Sequence, residues 1–88
     1  MTSPKTIVYI LKASTQGCFS LRTADTNQEF LHEVQTSEKL GYQLFRSYHV
    51  SEALSNETYG LCVDFVTGKT SLDTLTEHIA QLLLQQPR

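Results

Sequence analysis

The sequence predicts an α+β fold: a four-stranded, mostly antiparallel sheet with two helices packed on one face, in the order ββαββα. Three observations lead there. In Ser71–Gln86 the residues Leu72, Leu75, Ile79, Leu82 and Leu83 recur at helical spacing and form a broad apolar stripe that something must cover. Thr6–Lys12 contains five successive apolar residues with β-branched members, the pattern of a strand buried on both sides or central in its sheet. Tyr42–Val50 and Tyr59–Val66 both alternate, which suits strands with one face inward.

Taken in order, Met1–Lys5 reads as a disordered leader and 6–86 as a single domain. A polar turn, Ala13–Gly17, separates the first strand (6–12) from a second (18–23), whose Phe19, Leu21 and Thr23 share a face. The two form a hairpin. Thr26 followed by Glu29 fits a capping box that opens a helix over Asn27–Lys39, with Phe30, Leu31 and Val34 inward and Gly41 ending it in a left-handed conformation. The third strand (42–50) turns Tyr42, Leu44, Arg46, Tyr48 and Val50 one way and Gln43, Phe45, Ser47 and His49 the other. Ser51–Thr58 is a connector with at most one helical turn. The fourth strand (58–66) sets Tyr59, Leu61, Val63 and Phe65 against the final helix, which Thr70 or Ser71 caps.

Composition narrows the function classes. Eighty-eight residues, 40% hydrophobic and 18% charged, fit one globular domain with little surplus stability. A net charge of −2 disfavours nucleic acid as the main partner, since phosphate binding calls for a basic surface. No apolar run approaches the roughly 20 residues of a membrane span, and Ile7–Leu11 is shorter than a signal-peptide core. A cytoplasmic protein with Cys18 and Cys62 reduced is the expectation.

The expected fold leaves a second sheet face open, carrying Cys18, Ser20, Arg22, Gln43, Phe45, Ser47, His49, Cys62, Asp64 and Val66. From it Arg22, Phe45, Ser47, His49, Cys62, Asp64 and Val66 form the candidate binding surface. Phe45 and Val66 are poor neighbours for water, so a partner protein or a second copy of the chain is the expected cover. Cys18, His49, Cys62 and Asp64 are the types that bind zinc, yet no C-x₂-C or H-x₃-H pair brings two of them together, and neither a metal nor another cofactor is expected. No nucleophile elbow, oxyanion loop or phosphate-cradling glycine loop is visible. No catalytic residue is assigned.

Val8-Tyr9-Ile10 and Phe19-Ser20-Leu21, followed by a helix, resemble the opening hairpin and helix of the GIY-YIG nuclease domain over about the first 60 residues. The resemblance would place Glu57 near that family's metal-binding glutamate. Both signature glycines are absent, Phe19 stands where the family has tyrosine, and Asn27–Lys39 contains no arginine. A further strand at Tyr59–Val66 is another departure. What is shared is hairpin–helix patterning, and no family is assigned.

Three functions compete. The first is a non-catalytic, self-associating protein-interaction module. The second is a ligand-binding protein or small enzyme using His49, Cys62 and Asp64. The third is a nucleic-acid module stacking bases on Phe45 and Tyr48 beside Arg46, ranked last because the aromatics alternate faces and the domain is acidic.

Overall fold

Five consecutive apolar residues cannot all point one way from a strand, and Ile7–Leu11 accordingly faces two cores. The computed structural model describes residues 5–15 and 17–84. Strand β1 (Lys5–Ala13) lies between β2 (Phe19–Ala24) and β3 (Tyr42–Ser51) in an antiparallel sheet of order β2-β1-β3. Ile7, Tyr9 and Leu11 are buried with Ala24 and Phe30 on one face; Val8 and Ile10 are buried with Val50, Cys62, Leu75 and Ile79 on the other.

Each face therefore needs its own cover. Helix α1 (Asn27–Lys39) supplies Phe30 and Val34 to the first face, while α2 (Glu52–Val66) and α3 (Leu72–Leu83) close the second. The chain runs β-β-α-β-α-α in three layers, with helices on opposite sides of the sheet. This corrects the expected four strands and two helices on one face. The segment read as a fourth strand, 58–66, belongs to a 15-residue helix that begins directly after β3. The leader Met1–Pro4 and the helical extension to Gln86 lie outside the described residues, and Lys5 already belongs to β1.

The local signals for the remaining elements hold. Thr26 caps α1, its hydroxyl accepting from the Glu29 N–H at 3.1 Å, and Ser71 caps α3 by accepting from the Thr74 N–H at 3.2 Å. Gly41 ends α1 at φ 94°. Helix α2 ends in a Schellman arrangement: the Gly68 N–H donates to the Phe65 carbonyl (3.0 Å) and the Lys69 N–H to that of Asp64 (2.8 Å), with Gly68 at φ 85°.

One irregularity re-aims side chains. Opposite β1, Ile10 pairs with Arg46 and Leu11 with Leu44, so Phe45 is an extra residue, a β-bulge. The alternation expected along 42–50 breaks there. Leu44 falls on the α1 face, and Phe45 joins Phe19 and Phe65 on the α2 face, with ring centroids 5.1 Å and 6.0 Å away. Leu31, expected inward, is 56% exposed.

Candidate functional site

The residues first grouped on one open face are divided by the fold. Arg22, Ser47 and His49 belong to the α1 side of the sheet. Cys62 projects into the opposite core and is completely buried; Asp64 and Val66 stand half-buried on the last turn of α2. Phe45 is half-buried in the aromatic cluster, with the Arg46 guanidinium 4.6 Å from its ring centroid. The open face as drawn from alternation does not exist. His49 and Cys62 lie on opposite sides of the sheet, so they do not form a thiolate–imidazolium pair, and burial pushes the Cys62 thiol up to about 11, leaving it protonated at neutral pH and a poor nucleophile.

Three of the expected residues do share an element. Phe45, Ser47 and His49 are on β3, an edge strand of ten residues whose other side meets no strand among the described residues. Its α1-side face is unevenly covered. Phe30 approaches His49 with ring centroids 6.2 Å apart, while Glu33 reaches across the other flank of α1 to Arg22 of β2, its carboxylate 3.7 Å from the guanidinium. Helical spacing then turns Leu31, Val34 and Glu38 to the β3 side of α1. A shallow cleft shared by Glu38, Tyr42 and Gln43 agrees with that placement.

The outcome is an outer strand edge, over Tyr42–Val50, flanked by apolar surface. Leu44, 40% exposed on β3, and Leu31 on α1 lie on the same side of the sheet. An edge strand presents backbone N–H and C=O groups to any extended segment that can pair with it, and the exposed leucines add an apolar contact. The bulge at Phe45 divides the edge and leaves Ser47–Val50 as its uninterrupted part. No acidic residue occurs on β3, and Arg46 is its single permanent charge. Leu31 was missed because helical periodicity alone grouped it with Phe30 and Val34, and Leu44 because the bulge cannot be read from alternation.

The positions resembling the nuclease signature have other settings. Tyr9 is buried against Phe30, with ring centroids 5.0 Å apart, and its hydroxyl pKa is raised by burial and then by the Glu33 carboxylate. Phe19 completes the aromatic cluster, and Glu57 is exposed on α2. Among the described residues no three His, Cys, Asp or Glu side chains gather as a metal site would require. No helix among them is long and apolar enough to cross a membrane. No protein-family model, curated protein or solved structure matches this chain.

Proposed function

We propose that this protein is a non-catalytic interaction module that pairs with a second copy of itself through the outer edge of β3. The observation that carries the reading is the outer edge of β3 over Tyr42–Val50, which meets no strand among the described residues and is bordered on the α1 side by Leu44 and Leu31. Antiparallel pairing of β3 with its symmetry mate would continue the sheet across a two-fold axis, the commonest closed arrangement for identical chains. The absence of carboxylates on β3 leaves one arginine per strand to be kept from its mate by the register.

Sedimentation equilibrium across the micromolar range should give a dimer, and the melting temperature should rise with protein concentration. The doubly substituted Leu31→Glu, Leu44→Glu chain should be a folded monomer, because both side chains are already exposed. Amide exchange over Ser47–Val50 should accelerate in that variant. An unsubstituted protein that stays monomeric at high micromolar concentration, or a dimer indifferent to both substitutions, would refute the proposal.

A further inference from the structure

Given the self-association proposed above, the pleat of β3 restricts how two copies can pair. Residues directly opposite in an antiparallel pair share a sheet face, so the two-fold axis passes through one residue and its own mate, never between two residues. β3 turns Arg46, Tyr48 and Val50 to the α2 side, opposite Ile10, Val8 and Thr6 of β1, and turns Ser47 and His49 to the α1 side. An axis at Ser47 carries the new ladder across the bulge at Phe45, and one at His49 pairs only Tyr48–Val50 within the edge. An axis at Tyr48 gives the longest stretch clear of the bulge. Tyr48 then meets its own mate, Ser47 meets His49 of the second copy, and Arg46 meets Val50.

That register also sets opposite charges beside each other. Ser51 ends β3 and caps α2, so Glu52 follows the strand directly, and α2 packs on the face to which Arg46 points. Arg46 of one copy is therefore diagonal to Glu52 of the other, a separation of about 7–8 Å that long side chains span. Both residues are exposed, and neither pairs with an opposite charge among the described residues, where Arg22 and Glu33 form the ion pair. Arg46 is already held in place. Its guanidinium carbon lies 4.6 Å from the Phe45 ring centroid and its Nη1 donates to the Phe45 carbonyl at 2.8 Å, leaving the Nε and Nη2 donors for a carboxylate. Slipping the axis to Ser47 or Arg46 would instead bring the two arginines diagonal to or opposite each other.

We infer that Arg46 and Glu52 are the specificity determinants of the dimer, each arginine pairing with Glu52 of the second copy and so fixing the antiparallel register about Tyr48. Sedimentation equilibrium at low ionic strength tests this. Arg46→Glu and Glu52→Arg should each weaken dimerisation at least about tenfold, because two symmetry-related contacts turn repulsive at once. An equimolar mixture of these two variants should regain near-parental affinity, since the reversed residues meet each other and the native pair across the axis survives. Far-UV circular dichroism reports whether each variant is folded. Arg46→Gln and Glu52→Gln remove the charge without reversing it, should cost only a few-fold, and serve if a reversal unfolds the chain. A dimer whose affinity none of these substitutions changes, or a mixture that associates no better than its components, would overturn the register and leave self-association standing. An unsubstituted chain that is monomeric would overturn both.

Discussion

Thr58 sits in the middle of α2 with no exposed surface and no partner for its hydroxyl, an arrangement that costs the fold the desolvation of that group. Thr58→Val keeps the β-branched shape and removes the unpaired oxygen, so it should stabilise the protein by about 1 kcal/mol, read as a higher urea midpoint. Cys62, one turn further along, gives the stability a pH dependence. Burial raises its thiol to about 11, against an ordinary value of 9.0. Below pH 9 the thiol is protonated in folded and unfolded chains alike, and its contribution is intact. Between pH 9 and 11 the unfolded chain releases the proton first, so stability falls, by roughly 2–3 kcal/mol when complete. Comparing urea midpoints at neutral pH and near pH 10.5 should show a smaller loss in Cys62→Ala than in the unsubstituted chain. Tyr9 and Tyr48, also raised by burial, supply the decline that remains. None of this is visible in the sequence, because burial of a lone thiol or hydroxyl depends on which element it belongs to. Phe45 makes the same point: its place in the ring cluster follows from the bulge, so Phe45→Glu would test core packing and not a docking surface.

At the scale of elements, α2 is the instructive case. Tyr59, Leu61, Val63 and Phe65 do alternate, but Leu54, Thr58, Leu61, Cys62 and Phe65 recur at helical spacing in the same stretch. Both patterns coexist because α2 is wedged between the sheet and α3, which leaves Leu61, Val63, Phe65 and Val66 all partly buried and blurs the amphipathic signal. Length and punctuation were the better guide. Fifteen residues run from Glu52 to Val66, and Gly68 stands two positions beyond, where a helix-terminating glycine belongs. Gly41 occupies the corresponding place after α1, and that helix was legible from cap to cap. Replacing Gly68 by alanine should cost about 1 kcal/mol from its positive φ alone, since no atom lies within 4 Å of the added methyl. A thermal melt of Gly68→Ala beside the parent protein checks this.

For the whole molecule, the apolar run of β1 already contained the layer arrangement. A strand buried on both sides demands cover on both sides, and a sheet with all its helices on one face leaves Ile7, Tyr9 and Leu11 in water. The hairpin, α1, β3 and α3 were readable because capping, turn and alternation signals are local. The side each helix takes was not, because it depends on contacts between distant segments. The candidate site suffered for the same reason: Arg22, Ser47 and His49 stay together through cross-strand register, whereas Cys62, Asp64 and Val66 left with the strand that became a helix.

The central position of β1 also bears on how the chain is made. A ribosome synthesises β1 ahead of everything that shelters it. The hairpin with β2 can close early, but Ser51, the last residue of β3, follows Leu11 by 40 positions (51 − 11), and Leu75 and Ile79 come later still. At about 5–20 residues per second, five apolar side chains wait for seconds with one edge and at least one face uncovered. The surface that β3, α2 and α3 later cover is therefore exposed for longest while the chain is being made.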